Sequence, residues 1–217
     1  MSKFKRPRKQ RKSRKVFLII TEGDIEKIYF SQYNQYLNQN NSEVRINIFT
    51  SSHTDPLEIV NCAIKKIKTL KDPEIFEKGF CVFDTDTIKD SKESEKKFRK
   101  AEALAYKHDL GLITSFPCFE LWLLLHFNNY NKPGSKCKTV IKELQNFLSP
   151  YLKNKKDFER INFFHQYSDK LDNALNRAKK LESKNNSSNS LDYPDTKIYR
   201  IFEAIGYKFG VTKLESI

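Results

Sequence analysis

Apolar runs of strand length alternate with amphipathic stretches over the first 130 residues of the chain. The strand-like runs are residues 16–21, 44–49, 79–84 and 110–115. Continuous apolar runs such as the first are typical of strands that are buried on both faces of a sheet. Apolar residues at helical spacing predict helices over residues 24–38, 55–70, 91–108 and 119–127. The alternation predicts an α/β fold with a four-stranded, mostly parallel sheet flanked by helices.

The rest of the chain contains only helical patterns, at residues 140–148, 171–181 and 197–207. The polar residues 183–192 predict a mobile loop. Pro194 is typical of a helix start, with Asp195 or Thr196 as the cap of the last helix. These patterns divide the chain into a basic arm (1–14), an α/β domain (15–130) and a helical C-terminal extension packed on it (131–217).

Positive charge is concentrated at the start of the chain. The chain has 40 Lys and Arg against 27 Asp and Glu, a formal charge of +13. Nine of the basic residues lie within residues 1–15, which contain no acid, and the arm (1–14) should be disordered when free. It is either a solubilising tail or a contact for phosphates or an acidic partner. The candidate nucleic-acid contacts are Lys3, Lys5, Arg6, Arg8, Lys9, Arg11, Lys12 and Arg14.

Several classes of protein are excluded or disfavoured. No apolar run approaches the ~18 residues that span a bilayer, and residues 16–20 are too short for a secretory signal, so we expect a cytoplasmic protein without membrane contact. The four cysteines have no zinc-ligand spacing and are predicted to be free, buried thiols in a reducing cytosol. There is no Gly-rich phosphate loop, so the chain does not bind ATP through a Walker motif.

Acidic residues follow three of the predicted strands. Glu22 ends the first, with Glu26 four residues later; Asp84 and Asp86 end the third. Glu120 begins the helix after the fourth strand. Because the active sites of open α/β sheets lie beyond the carboxyl ends of the strands, we expect these acids to share one crevice.

Carboxylates that share a crevice repel one another unless a cation offsets their charge. Mg²⁺ or Mn²⁺, as one or two ions, fits such a set of oxygen ligands. Ions held in this way activate water and stabilise the charge that develops in phosphoryl chemistry. Each acid taken singly could equally be a helix cap or a solvated loop residue.

These motifs resemble a known family. TEGxxE after an apolar strand, followed by an apolar strand that ends in DxD, is similar to the Toprim domain of topoisomerases, bacterial primases and OLD-family nucleases. Three further blocks, DPLEIV, SFPCFELWLLLHF and YPDTKIYRIF, resemble the RloB-like proteins over about residues 15–205. These are small Toprim proteins linked to restriction and abortive-infection loci, including the second component of the AbiL system.

The resemblance implies roles for particular residues. Glu22 would act as a metal ligand or general acid/base, and Asp84 and Asp86 as metal ligands. Glu26 matches a second acid of OLD-like nucleases, Asp90 a trailing metal ligand, and Glu120 a residue that completes a second metal site. The basic residue that often aids phosphate binding has no clear match; Lys89, Lys92 and Lys197 are candidates.

Two functions from different classes follow. The first is a metal-dependent Toprim nuclease that cleaves DNA or tRNA as an effector of antiphage defence, in which Glu22, Glu26, Asp84, Asp86 and Glu120 are catalytic. The resemblance also implies a partner ATPase of the ABC or AAA type encoded nearby, and it leaves homo-oligomerisation open. The second is a non-catalytic module that binds nucleic acid or protein in a defence complex.

Other residues with potential chemistry are assigned to the core. His126 follows LWLLL on an apolar helix, where a histidine with satisfied hydrogen bonds is expected more often than a proton shuttle. Trp122 on the same helix is predicted to be core or interface.

Overall fold

A mixed sheet forms the centre of the protein. The computed structural model describes residues 14–40, 42–71, 73–88, 91–148, 155–188 and 193–207. Within these ranges the strands are β1 (Lys15–Thr21), β2 (Val44–Thr50), β3 (Phe76–Asp84), β4 (Leu110–Phe116) and β5 (Asp195–Thr196). Their order is β2-β1-β3-β4-β5; the first four are parallel and β5 is antiparallel to β4. The predicted α/β class is confirmed, with five strands in place of four.

Helices cover both faces of the sheet. In the described residues they are α1 (Asp24–Gln39), α2 (Pro56–Lys68), α3 (Lys92–Lys107), α4 (Glu120–Leu125), α5 (Cys137–Leu144), α6 (Lys155–Ile161), α7 (Phe163–Tyr167), α8 (Leu171–Ser188) and α9 (Tyr199–Ile205). The predicted start of α2 is confirmed, because the Asp55 side chain accepts a hydrogen bond from Leu57 N at 2.9 Å. No helix among these residues has the length and hydrophobicity needed to cross a membrane.

The apolar run of β1 serves two cores because successive side chains of a strand point to opposite faces. Leu18 and Ile20 pack with α2 and α3, in a core that includes Ala63 and Ala101. Phe17 and Ile19 face the other side, where α1, α4 and the C-terminal helices lie. Burial on both faces therefore explains why no polar residue interrupts residues 16–20.

The second core is rich in aromatic rings contributed by distant parts of the sequence. The Tyr29 ring of α1 lies 4.9 Å from that of Phe164 in α7, measured between centroids. The Phe202 ring of α9 lies 4.7 Å from Tyr33 and 5.5 Å from Trp122. The C-terminal helices thus complete the core that α1 and α4 begin.

The structure differs from the sequence predictions in the C-terminal part. Asp195 and Thr196 do not cap a helix; they form β5, and Lys197 N donates to Thr114 O at 2.9 Å. The predicted loop over residues 183–192 is wrong for residues 183–188, where α8 continues, and residues 189–192 lie outside the described part of the chain. The helices α6 and α7 were not predicted. A two-residue strand and helices of five to seven residues are too short to leave a periodic pattern.

Candidate active site

The carboxyl ends of β1, β3 and β4 place acidic side chains at one edge of the sheet. Glu22 follows β1, and its backbone N–H donates to the Val82 carbonyl of β3 at 2.9 Å. Asp84 is the last residue of β3 and pairs in register with Ser115 of β4. Glu120 is the first residue of α4, shortly after β4 ends. Parallel pairing therefore brings residues that are distant in the sequence to the same edge.

Glu22 and Asp84 are in direct contact. The Asp84 backbone N–H donates a hydrogen bond to Glu22 Oε2 at 3.0 Å. Both side chains are partly buried. This bond fixes the Glu22 carboxylate against the end of β3 and directs it toward the first aspartate of the DxD motif.

Glu26 is the most enclosed of these acids, with 7% of its surface exposed. It lies in the first turn of α1 and folds back over Gly23. A Cβ atom at position 23 would lie only 2.6 Å from Glu26 Oε2. Gly23 has a φ of −117°, which any residue can adopt, so glycine here leaves space for the Glu26 carboxylate and is not needed for the backbone conformation.

The acids act on one another electrostatically. Burial raises the pKa of Glu26 to about 7, and the negative charges of Glu120 and Glu22 add to the effect. The pKa of Asp84 is raised well above its usual value, first by burial and then by Glu26, Glu120 and the other acids. For the pKa of Glu22, burial outweighs the opposing hydrogen bond from Asp84 N, and Asp86 raises it further.

Four of the predicted site residues are therefore brought together: Glu22, Glu26, Asp84 and Glu120. Asp86 stands at the exposed rim of the same group, close enough to affect the pKa values of Glu22 and Asp84. Asp90 and Lys89 lie outside the described residues. Lys92 begins α3 on an exposed surface, and Lys197 follows β5 beside Asp195.

The basic arm joins the molecule at the opposite edge of the sheet. Arg14 directly precedes β1, and its Nη1 donates to Asn38 Oδ1, near the end of α1, at 2.8 Å. The acids follow the other end of β1. The remaining predicted contacts of the arm lie outside the described residues: Lys3, Lys5, Arg6, Arg8, Lys9, Arg11 and Lys12.

Two cysteines next to the acids correct the prediction that all four are free. Cys118 and Cys137 form a disulfide, whereas Cys62 and Cys81 are free. The end of β4 and the start of α5 bring the two Cα atoms to 5.6 Å, a spacing typical of disulfides. The sequence could not indicate this pairing, because the partners are 19 residues apart and form no motif.

Both sulfur atoms and a Glu120 carboxylate oxygen lie within 4.8 Å of one another. In the described part of the chain no three of the site carboxylates reach that mutual spacing. The disulfide removes the sulfur atoms as metal ligands, because a metal binds the thiolate. The five acids instead form a looser set of oxygen ligands.

The donor set nevertheless fits a hard divalent cation. The charges that most raise the pKa of Asp84 are all carboxylates, and a bound dication would offset them. Mg²⁺ and Mn²⁺ take oxygen ligands, and Mg²⁺ usually keeps several waters, so the protein need not supply every ligand at contact distance. Glu22, Asp84, Asp86 and Glu120 are the residues that could hold it, with Glu26 beside them.

One further acid at this edge, Asp195, was not recognised from the sequence pattern as a site residue. Asp195 pairs with Phe116 beside the end of β4, and its Oδ1 is buried without a hydrogen-bond partner. Burial raises the pKa of Asp195, while Lys197 opposes the effect. The YPDTK block contains it, but its assignment to a helix start concealed the strand.

The prediction that His126 belongs to the core is confirmed. His126 is 1% exposed, its Nδ1 lies 3.0 Å from Trp122 O, and its Nε2 lies 3.5 Å from the Tyr29 hydroxyl. Burial lowers the pKa of His126 to about 3, so the ring is neutral at physiological pH. Trp122 is fully buried in the same core.

Fold and site define a class: an α/β protein whose parallel strands carry several carboxylates to one edge. The family model described as RloB-like protein matches residues 17–205, most of the chain. The chain therefore belongs to the RloB-like family, as the sequence motifs indicated. No curated protein and no solved structure matches it.

Proposed function

We propose that this protein is a divalent-metal-dependent nuclease of the Toprim type. The observation that carries the proposal is the gathering of Glu22, Glu26, Asp84 and Glu120 at one sheet edge, where burial and mutual repulsion raise the pKa values of the first three. Buried like charges destabilise a fold, so their presence is explained best by a cation that they bind.

The acidic residues of the site would have different roles in metal binding and proton transfer. Asp84, the last residue of β3, and the exposed Asp86 two residues later would bind the ion together with Glu22 and Glu120. The hydrogen bond from Asp84 N holds one Glu22 oxygen, which orients the carboxylate. Glu26, enclosed over Gly23, lies beside these ligands as a candidate proton acceptor. A bound Mg²⁺ or Mn²⁺ would activate water and offset charge on the phosphodiester.

The substrate class is nucleic acid, either DNA or tRNA. The formal charge of +13 favours a polyanionic partner but does not distinguish between the two, because phosphate attraction is independent of sequence. Resemblance to Toprim proteins of abortive-infection loci supports a role as an antiphage effector. Regulation by an ABC- or AAA-type ATPase encoded nearby rests on the same resemblance, by analogy alone.

The test is cleavage of end-labelled DNA and tRNA in Mn²⁺. Glu22→Gln and Asp84→Asn remove a charge and keep the side-chain shape, so both should lose at least about a hundredfold in rate. Asp109→Asn is the matched control, since Asp109 lies just before β4 at the opposite edge and its side chain is 86% exposed. It should cleave at the wild-type rate.

Equal cleavage by all four proteins would reject the assigned site. Absence of cleavage in the presence of the adjacent ATPase, with nucleic-acid affinity that survives Asp84→Asn, would favour the non-catalytic binding module. Adding DNA and tRNA in separate reactions identifies the substrate class.

A further inference from the structure

The disulfide lies beside the candidate active site and joins two segments that frame it. Cys118 is two residues before Glu120 and is 2% exposed, and Cys137 is the first residue of α5 and is only partly buried. The bond therefore links the start of α4 to the start of α5. The free cysteines Cys62 and Cys81 belong to the other face of the sheet.

Cys137 contacts one of the proposed metal ligands directly. Its Sγ lies 3.7 Å from Glu120 Oε2, within the reach of a sulfur hydrogen bond. In the disulfide this sulfur carries no hydrogen and cannot donate. In the reduced protein the Cys137 thiol can donate to the same carboxylate oxygen.

Reduction must also move at least one of the two side chains, because two unbonded sulfur atoms cannot remain at covalent distance. Cys118 is enclosed by the core, whereas Cys137 is accessible from solvent and borders a loop. Cys137 is therefore the sulfur that a reductant reaches first. It is also the one in contact with Glu120.

We propose that Cys118 and Cys137 form a reversible thiol–disulfide site that controls how available the Glu120 carboxylate is to a divalent cation. The inference rests on the proposed function in taking Glu120 as a metal ligand. In the oxidised protein the Cys137 sulfur carries no hydrogen and does not compete with a cation for the Glu120 oxygen. In the reduced protein the Cys137 thiol competes with the cation for the same oxygen.

The chemistry balances with a low-molecular-weight disulfide as oxidant. The thiols of Cys118 and Cys137 react in two exchange steps through a mixed disulfide. The S–S bond of the small disulfide breaks and the Cys118–Cys137 bond forms. Two small thiols leave, and they carry the two protons that the cysteines lose. A small dithiol or a phosphine reverses the reaction.

The first experiment asks whether the bond forms and is reversible. The full chain is treated with oxidised glutathione or with a phosphine reductant, desalted under nitrogen, and digested without reduction after the free thiols are blocked. A Cys118–Cys137 linked peptide in the oxidised sample, and four blocked cysteines in the reduced one, support the proposal. Four blocked cysteines in both samples overturn it, as does uptake of one Zn²⁺ per reduced chain, which would identify a metal site.

The second experiment measures Mn²⁺ affinity of both forms by calorimetry. The oxidised protein should bind roughly fivefold more tightly, since a thiol is a weak donor to a charged acceptor. Cys137→Ala removes the bond and the donor and should bind like the oxidised form in either buffer. Cys137→Ser keeps a hydroxyl donor and should bind like the reduced form. Cys62→Ser is the matched control and should retain the full redox response.

The outcomes separate this inference from the proposed function. Equal Mn²⁺ affinity of the oxidised and reduced proteins, or of the Ala and Ser variants at position 137, overturns the control by sulfur and leaves the metal site intact. Absence of Mn²⁺ binding in every form overturns the metal site and the control together.

Discussion

Two regions of the molecule bury ionisable groups in opposite surroundings. They are the acidic edge, formed by the acids at the carboxyl ends of β1, β3 and β4, and the aromatic core around Tyr29, Trp122 and His126. In the core, His126 is neutral, and its ring nitrogens face the Trp122 carbonyl and the Tyr29 hydroxyl. At the edge, Glu26 and Asp84 are enclosed among other carboxylates that raise their pKa values further. His126 thus faces a polar partner at each ring nitrogen, whereas the acids at the edge face charge of their own sign.

The difference separates a structural residue from a candidate functional one better than burial alone. A polar group with matched partners contributes to the stability of the fold, and its removal leaves those partners unsatisfied. A group that destabilises the fold in isolation is expected where a ligand supplies the missing charge. The comparison therefore predicts opposite signs for substitutions in the two regions.

The largest expected effect is the loss of His126. His126→Ala should lower the free energy of unfolding by about 4 kcal/mol, because it leaves a cavity among rings and two unpaired polar groups. Tm should fall by roughly 10 °C. His165→Ala, at an exposed position of α7, should change Tm little. Similar losses in both variants would contradict the structural role of His126.

The second-largest expected effect is a pH dependence of the free energy of unfolding, which arises from the buried acids of the acidic edge. The pKa of Glu26 is about 7 in the fold against an ordinary 4.5, so the folded state binds more protons between these values. The free energy of unfolding of the metal-free protein should therefore fall by about 3 kcal/mol as pH rises from 4.5 to 7. The raised pKa of Asp84 acts in the same direction.

Urea denaturation in chelator at pH 5 and pH 8 measures the slope of the free energy of unfolding against pH. Glu26→Gln should flatten it, while Glu102→Gln, on the exposed side of α3, should leave it unchanged. A protein that is more stable at pH 8 than at pH 5 without metal would contradict the repulsion among the acids.

Asp84→Asn is expected to change the free energy of unfolding by less than His126→Ala does, and in the opposite direction. Removing this charge should stabilise the metal-free protein by about 2 kcal/mol, since the amide keeps the shape without the repulsion. The same substitution should abolish the Tm increase that saturating Mn²⁺ gives the wild type. A destabilised metal-free variant, as His126→Ala should be, would place Asp84 with the structural residues.

The smallest effect tests geometry without changing charge. Gly23→Ala puts a Cβ atom where Glu26 Oε2 lies, so the carboxylate must move. Mn²⁺ affinity should fall about tenfold with little change in thermal stability. Ser31→Ala, at an exposed position of the same helix, should bind Mn²⁺ normally. Unchanged affinity in Gly23→Ala would show that the Glu26 position is not critical.

Much of the α/β part could be predicted because its strands are buried on both faces and leave continuous apolar runs. The meeting of Glu22 and Asp84 followed from the parallel arrangement of those strands. The role of Gly23 could not be predicted, because its backbone angles are ordinary and only the position of Glu26 explains it. The disulfide and β5 depend on tertiary contacts between distant segments, for which local patterns give no signal.

The direction of β1 sets a minimum length for any nucleic acid that contacts both charged parts of the molecule. Arg14 lies at one end of this seven-residue strand and Glu22 at the other. The strand spans about 20 Å, which corresponds to about six base pairs of duplex. A dinucleotide that occupies the acidic edge cannot extend to Arg14, so its binding should depend less on salt than that of a twelve-base-pair duplex.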